Sequence, residues 1–311
     1  MFTQTRSPHI AHVPMRATVA RIETLSPTFR RFTLTGPEIS TVADNRLDQR
    51  FKILFPVPGV GLDAMPPGDD WYLAWRQLDN SVRPVMRTYT VREVRPEAAE
   101  FDVDIALHGR IGPASAWALD ARPGDELIVC VPHTGFEGDF HGGVDWRPLA
   151  EARRILIAAD ETALPAVSGI FERLGPEVRG TAIVEVPHPE DAAAISAPPE
   201  GVRLIVVARG ADPVGSRLVP TVREAAASLL SAAPGGGAQE IEDVDIDQVM
   251  LWEVPHDLAG NPLGHAPFFA WLAGEASPIK ELRRFLVSEK GVDRHSVAFM
   301  GYWRAGRPEM T

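Results

Sequence analysis

The stretch FDVDIALHGRIGPASAWALD, residues 101–120, decides the fold of the first half of the chain. Phe101, Val103 and Ile105 alternate with Asp102 and Asp104, so apolar and acidic side chains take opposite faces of a strand. His108-Gly109-Arg110-Ile111-Gly112-Pro113 follows as a glycine-rich turn, and residues 114–121 read as a helix opened by Gly112-Pro113. Working outward, segments 18–22, 29–33, 51–55, 88–94, 101–107 and 126–131 are short and rich in β-branched or aromatic residues. Turn formers separate them at Thr35-Gly36-Pro37, at 56–61 and at Arg122-Pro123-Gly124-Asp125. Several short strands with one helix among them predict a small antiparallel β barrel.

After a Gly/Pro-bearing linker at 134–148 the period changes. Strands are expected at 154–159, 181–186, 203–208, 268–272 and 296–300, and helices at 163–174, 219–232 and 279–290. Strand and helix alternate, which predicts a parallel sheet with helices on its faces. The expected domains are therefore 1–145, a barrel, and 146–311, an α/β nucleotide-binding domain. Segment 234–265 fits neither pattern. It opens with Gly235-Gly236-Gly237, continues through Glu240, Glu242, Asp243, Asp245 and Asp247 without a base, and reads as a solvated excursion. His256, Asp257 and His265 match no metal-binding spacing and read as loop residues.

Composition narrows the chemistry. Among 311 residues, 42 acids against 31 bases leave a net charge of −11, which argues against nucleic acid and anionic membranes as partners. The single cysteine, Cys130, excludes an intrachain disulfide, a cysteine zinc site and a thiolate-held iron–sulfur cluster. No apolar run reaches membrane-spanning length and the first residues carry no signal-peptide core, so a cytoplasmic setting is expected. There is no phosphate-loop motif, no H-E-x-x-H, no G-x-S-x-G elbow and no complete G-x-G-x-x-G.

Five stretches carry candidate chemistry. In Arg87-Thr88-Tyr89-Thr90-Val91-Arg92, Arg, Tyr and Thr are read on one strand face: a guanidinium for phosphate, a ring for a planar cofactor, a hydroxyl for a flavin edge. A polar solvent-exposed face is the competing reading. In the 108–118 turn, free backbone N–H groups at a helix start suit a diphosphate, with Ser115 adding a hydroxyl; an ordinary capped helix with Trp117 in the core competes. Ala158-Ala159-Asp160-Glu161-Thr162-Ala163-Leu164-Pro165-Ala166 is a strand-to-helix turn of the kind at which nucleotides lie, or a plain capped turn. Trp271-Leu272-Ala273-Gly274-Glu275-Ala276 is a second strand end. Met300-Gly301-Tyr302-Trp303-Arg304-Ala305-Gly306-Arg307 places paired aromatics and two arginines past a final strand.

In this order, RTYTVR, HGRIGPASAWA, ADETALPA, WLAGEA and GYWRAGR resemble the siderophore-interacting protein family, from about Met15 to Arg307. The resemblance implies a fold similar to ferredoxin reductases, with an FAD-binding barrel ahead of a nucleotide-binding sheet, and an FAD-dependent reductase of ferric siderophores. Carried onto this chain, it implies that Arg87, Thr88, Tyr89 and Thr90 hold the FAD. Asp104, Ala106, Leu107 and His108 would line it, largely through main chain, and Ala114, Ser115 and Trp117 would follow the diphosphate. Asp160, Thr162, Ala163 and Pro165 match the nucleotide turn, Gly274 and Glu275 the second, and Trp303 the tail. Lys52, with Arg304 or Arg307, would draw in an anionic ferric siderophore; for Lys52 alone a solvated barrel lysine is an equal reading. The 234–265 segment is longer than the family pattern.

The electron donor is expected to be NADPH or NADH. Arg209, past the 203–208 strand, would suit a 2′-phosphate, whereas the acidic run from Glu185 to Asp191 would suit a ribose hydroxyl. Two rival functions remain at this level: a general NAD(P)H–flavin oxidoreductase feeding another acceptor, and a non-catalytic siderophore carrier.

Overall fold

A computed structural model describes residues 9–148, 150–230, 241–257, 259–263 and 266–307. Gly235, Gly236, Gly237, Glu240, His265 and the expected helix end at 231–232 lie outside the described residues. The chain divides into two compact units. One holds the residues up to Leu25 with Phe29–Gly143; the other holds Ser26–Thr28 and the chain from Val144 onward.

The first unit is a seven-stranded antiparallel sheet, a half-barrel. Its strands are β1 (His12–Thr24), β2 (Phe29–Thr35), β3 (Arg50–Phe55), β4 (Val85–Thr90), β5 (Glu93–Arg95), β6 (Glu100–Ala106) and β7 (Glu126–Pro132), in the order β4-β3-β7-β1-β2-β6-β5. The thirteen residues of β1 pair with both β2 and β7, and its register slips between Val19 and Arg21. Alternate positions of these strands (Met15, Phe32, Phe51, Phe101 and Val129 among them) fill one core.

The expected strand at 88–94 is two strands around a corner. Thr90 pairs with Arg50 of β3, Val91 N–H then donates to Gln49, and Arg92 N–H donates to Asp102 of β6, so the chain changes partner within two residues. Asp102 and Asp104 do leave the face of Phe101 and Val103, but not for water: both are buried. Asp102 accepts from Arg95 at 2.6 and 2.8 Å and from Thr33 at 2.6 Å. Asp104 accepts from Arg31 at 2.7 and 2.9 Å. Burial opposes ionisation of Asp102, yet the bonds from Arg95 and Thr33 outweigh it and hold the carboxyl below its usual range. A helix that sequence spacing did not announce, α1 (Trp71–Gln77), buries Trp71 and Trp75 on the other face of β3 and β4, against Leu54 and Met86. The helix after the glycine turn is α2 (Pro113–Asp120).

In the second unit β8 (Arg154–Ala159) is followed by one tight turn and α3 (Leu164–Phe171), then β9 (Arg179–Val186) and β10 (Val202–Ala208). Next come α4 (Leu218–Leu230), β11 (Trp252–Glu253), β12 (Phe268–Glu275), α5 (Ala276–Arg283) and β13 (Val297–Trp303). The order is β10-β9-β8-β12-β13-β11. Five strands are parallel, and β11 runs antiparallel on the β13 edge, so the sheet is mixed rather than wholly parallel. The chain steps from β8 to β9 on one side and returns to β12 on the other, which makes the carboxyl ends of β8 and β12 the topological switch point.

The acidic segment before β12 is not a solvated excursion over its described part. Ile241, Val244 and Ile246 pack on the core and Leu251 is buried. Asp243 pairs with Lys280 at 2.8 Å, and Glu253 takes both arms of Arg283 at 2.6 and 3.1 Å. The bases missing from the segment are supplied by α5.

Candidate functional site

Each unit gathers one group of the expected residues, and the two groups are built on opposite electrostatic plans. In the first unit, β4 is the sheet edge. Pairing sets Phe51 against Tyr89 and Ile53 against Arg87, so Arg87 and Tyr89 share the core-side face, where the Tyr89 ring meets Phe55 edge-on at 6.3 Å. Thr88 and Thr90 take the other face, with Lys52 and Leu54, because strand side chains alternate. Arg87, Tyr89 and Thr90 are therefore not on one face as expected; Thr90 is buried on the far side. Lys52 donates to the Thr88 hydroxyl, so it sits on that far face and not beside Tyr89. Arg87 donates to the Met86 carbonyl at 2.7 Å.

The turn from β6 into α2 is shaped by Ser115. Its hydroxyl donates to Gly109 O at 2.6 Å and accepts from His108 N–H at 3.1 Å, tying both ends of the turn to the first turn of the helix. Gly109 and Gly112 have φ of 68° and 80°, and a Cβ on either would meet nothing within 4 Å, so the turn leaves open space before the helix. No side chain caps α2 at Gly112. At the other end Arg30 donates to the carbonyls of Ala118 and Leu119 at 3.1 and 3.2 Å. Helix α2 is thus closed at its negative end and open at its positive end, the arrangement that receives an anion. Ala106 ends β6, Leu107 packs on the core and Ala114 is buried in α2. The Trp117 ring lies 5.4 Å from Phe32 and 5.3 Å from Phe55, which is a core position. The Asp104 carboxylate is taken up by Arg31 and the residue is buried in the sheet, so its side chain is not available to a ligand.

An FAD fits this unit. The uncapped N–H groups at the start of α2 could supply the donors a diphosphate needs, with Arg87 on the edge strand and Tyr89, two residues along on the same face, offering a ring.

In the second unit, the hub is Asp160 at the end of β8. Its Oδ1 accepts from Thr162 N–H at 2.9 Å and from the Thr162 hydroxyl at 2.5 Å. Its Oδ2 accepts from Glu275 N–H at 2.7 Å and from Trp303 Nε1–H at 2.8 Å. One carboxyl thereby joins the ends of β8, β12 and β13. Gly274 is required here: at φ 153° its absent Cβ would lie 2.7 Å from the Asp160 carboxyl. Burial and the neighbouring Glu161 push the Asp160 pKa up to about 7, against the pull of its four donors. Ala163 and Pro165 are buried where α3 starts and shape the turn from inside.

Two further carboxylates do similar work. Glu185, buried at the end of β9, accepts from Gly215, Arg217 and Leu218 N–H at 2.7, 2.8 and 3.0 Å, closing the start of α4. Glu275 accepts from Ser277 N–H at 2.6 Å and closes α5. Acids at three strand ends thus close helical starts: Asp160 at the end of β8 the turn before α3, Glu185 of β9 the start of α4, which follows β10, and Glu275 of β12 the start of α5. Glu161 and Glu185 escaped the sequence reading as structural groups, although an acid inside the apolar run TAIVEV was a visible signal of a buried, partnered carboxylate.

The three arginines expected to face ligands in this unit are paired with acids of the chain itself. Arg209 places both terminal nitrogens 2.6 Å from Glu161 and one of them 3.8 Å from Glu185, with its side chain 9% exposed. Arg304 donates to Glu275 at 3.1 Å, to the Ser277 hydroxyl, and to Asp247 at 3.3 Å. Arg307 lies 3.4 Å from the same Asp247 carboxylate and donates to its carbonyl. Arg304 and Arg307 come together, but on an acid of the chain itself, rather than as an open basic pocket. No group of three or more histidine, cysteine or acidic residues is placed to hold a metal ion among the described residues.

Comparison with known proteins agrees with both halves. Residues 18–136 match the model of the siderophore-interacting FAD-binding domain, and residues 152–306 match that of siderophore-interacting protein. The chain is 27% identical to the ferric vibriobactin reductase ViuB of Vibrio cholerae, over 92% of this chain and 87% of that protein. The crystal structure of the siderophore-interacting protein SipS from Aeromonas hydrophila is similar at a TM-score of 0.62 and 29% identity, covering 96% of this chain and 94% of that one. The ferredoxin reductase in carbazole 1,9a-dioxygenase, at a TM-score of 0.58 and 14% identity over 94% of this chain and 70% of that one, shares the fold. With an FAD-binding half-barrel followed by a mixed sheet of the ferredoxin-reductase kind, and with both family models in register on the two units, the chain belongs to the siderophore-interacting protein family.

Proposed function

We propose that this protein is a cytoplasmic ferric-siderophore reductase, with FAD held by the first unit and a nicotinamide donor, NADH or NADPH, bound at the carboxyl edge of the second. The observation that carries the reading is the open N-terminus of α2 behind a turn braced by Ser115, whereas in the second unit buried acids close the 161–163 turn and the starts of α4 and α5. Flavin, when bound, supplies the exchange between a two-electron hydride donor and one-electron acceptors, so one hydride accounts for two ferric ions. The chain's part is to bind and orient. The α2 N–H groups and Arg87 hold phosphate, Tyr89 offers its ring, and the Asp160 hub keeps the ends of β8, β12 and β13 in one rigid frame. Because the flavin carries the redox chemistry, the proposed reaction requires no general acid or base from the chain. Fe(III) held by hard oxygen ligands is released once reduced, because Fe(II) binds them more weakly.

ViuB is a ferric vibriobactin reductase by name, and this supports a ferric chelate as the acceptor. The test begins with the visible spectrum of the purified protein. Without oxygen, a flavin band bleached by NADH or NADPH and restored by a ferric siderophore is the expected result. A band restored by dyes but never by ferric siderophores leaves a general flavin oxidoreductase. A flavin-free protein that binds siderophore leaves a carrier. Because Lys52 donates to Thr88 on the face away from Tyr89, Lys52→Ala is expected to leave ferric-siderophore reduction within about twofold; a severalfold fall with dye reduction spared would return Lys52 to the acceptor site.

A further inference from the structure

We infer that the second unit selects NADH over NADPH, because the buried Arg209–Glu161 pair withdraws the arginine that a 2′-phosphate needs. This rests on the reading of that unit as the donor site and names which donor it takes.

The adenosine end of a dinucleotide on a switched parallel sheet lies beyond the first strands on one side of the switch, here β8, β9 and β10. A base at those strand ends is what distinguishes the two donors, since they differ by one phosphate on the adenosine ribose. Among the described residues, the turns after β8, β9 and β10 at 160–163, 187–201 and 209–217 carry two arginines, Arg209 and Arg217, and one histidine, His188. Arg209 is the one that directly follows a strand, and its guanidinium is turned back across the sheet end onto Glu161, with both terminal bonds at 2.6 Å. Reaching a ligand would strip a fully buried carboxylate of its counter-ion, which low-dielectric surroundings penalise heavily.

Among the described residues, neither the helix starts of this edge nor Arg217 replaces it. A phosphate usually gains from a helix N-terminus, but the starts of the α3 turn, α4 and α5 are already satisfied by Asp160, Glu185 and Glu275. Their local positive potential is cancelled before any ligand arrives. Arg217 is exposed and pairs with Asp212 at 2.8 Å, so a phosphate there must compete with an adjacent carboxylate. The turn after β9 also carries exposed Glu190, an acceptor suited to a ribose hydroxyl and repulsive to a phosphate dianion.

The test uses the flavin-loaded protein and two hydride-inert mimics, tetrahydro-NADH and tetrahydro-NADPH, with dissociation constants measured by calorimetry. Wild type is expected to bind the NADH mimic at least about tenfold more tightly. Equal or tighter binding of the NADPH mimic overturns the inference and leaves the donor site standing. Binding of neither mimic overturns both. Glu161→Gln, which loosens Arg209, is expected to tighten the NADPH mimic severalfold with the NADH mimic held within about twofold. An unchanged ratio in a folded Glu161→Gln protein removes the pair as the determinant. Arg217→Ala is expected to leave the ratio within about twofold; a tenfold loss confined to the NADPH mimic makes Arg217 a 2′-phosphate ligand and overturns the inference. The wild-type ratio decides the question even where a variant fails to fold.

Discussion

Replacing Asp160 by Asn should change how the stability of the protein depends on pH, and the size of the change follows from the hub. The Asp160 carboxyl titrates near 3.8 in an unfolded chain and at about 7 in the folded one. The folded state therefore binds more protons between those values, so this group stabilises the fold at low pH, and the contribution is lost as pH rises through about 7. At about 1.4 kcal/mol per tenfold, integrating between about pH 5 and about pH 8 gives a loss of roughly 2.5 kcal/mol. Geometry shows where the proton goes. Oδ2 faces two obligate donors, Glu275 N–H and Trp303 Nε1–H, whereas Oδ1 faces the Thr162 hydroxyl, which can reverse and accept. In Asp160→Asn the amide nitrogen takes the Oδ1 position and leaves Thr162 N–H without an acceptor, an offset of about 1–3 kcal/mol that does not vary with pH. His12 of the first unit works in the opposite direction. Its pKa is lowered to about 4, by burial first and by His141 and Arg50, so its contribution grows as pH rises from about 4 to 6.5. Wild-type stability alone is thus ambiguous, and the difference between wild type and variant is the quantity to measure. Urea denaturation of both at about pH 5 and about pH 8 should show that difference falling by roughly 2.5 kcal/mol. A difference constant to within about 0.5 kcal/mol would mean that the four donors keep Asp160 ionised throughout.

Two further substitutions test other parts of the frame. Asp191 is buried and accepts from the Ser26 hydroxyl at 2.7 Å, Thr28 N–H at 3.0 Å, the Thr28 hydroxyl at 2.7 Å and His188 N–H at 3.0 Å. Asp191→Ala leaves those donors facing a void and should cost at least about 3 kcal/mol in urea unfolding, with Asp191→Asn recovering part of it. Ser115→Ala removes both bonds that brace the 108–112 turn; it should weaken FAD binding by about fivefold in titration of the apoprotein, at about 1 kcal/mol of stability.

Sequence periodicity carried the order of strands and helices because local burial sets it, and it failed where a partner lay far along the chain. The 101–105 alternation located β6 correctly, but the surroundings of Asp102 and Asp104 depend on Arg95 and Arg31, and nothing in an alternating run says whether its polar face meets water or a guanidinium. The acidic segment shows the same limit at longer range. Asp243, Asp247 and Glu253 find their bases at Lys280, Arg304, Arg307 and Arg283, and this converts an apparently solvated run into a docked one. Helix α1 was legible in principle, since Trp71 and Trp75 stand one turn apart, yet the surrounding turn formers masked the spacing. For the site, motifs located Asp160 and four residues that the fold brings onto its carboxyl, Thr162, Gly274, Glu275 and Trp303. Motifs did not say what the arginines would touch. Arg209, Arg304 and Arg307 read as ligand-facing because their partners Glu161, Glu275 and Asp247 belong to other elements.

The two units therefore spend charge in opposite ways, and the contrast bears on which ligand is held and which one leaves. On the proposed function, a resident FAD must survive many turnovers, whereas a nicotinamide donor and its oxidised product must depart once per cycle. Tight retention calls for unspent phosphate donors, and α2 keeps its N–H groups unspent behind glycines with no Cβ to obstruct them. Rapid exchange calls for the reverse. Capping α4, α5 and the α3 turn with Glu185, Glu275 and Asp160 buys a rigid strand edge that holds its shape without a nucleotide and offers that nucleotide little electrostatic grip. Because the capping acids are buried and bonded to backbone, they do not relax when a ligand arrives, so the weak grip is a property of the folded chain and not of a particular conformation. If the second unit holds the proposed donor, it does so through shape and neutral hydrogen bonds, and the donor's affinity should vary little with salt, whereas the flavin-binding unit, with open N–H groups and an edge arginine, should lose its diphosphate ligand more readily as ionic strength rises.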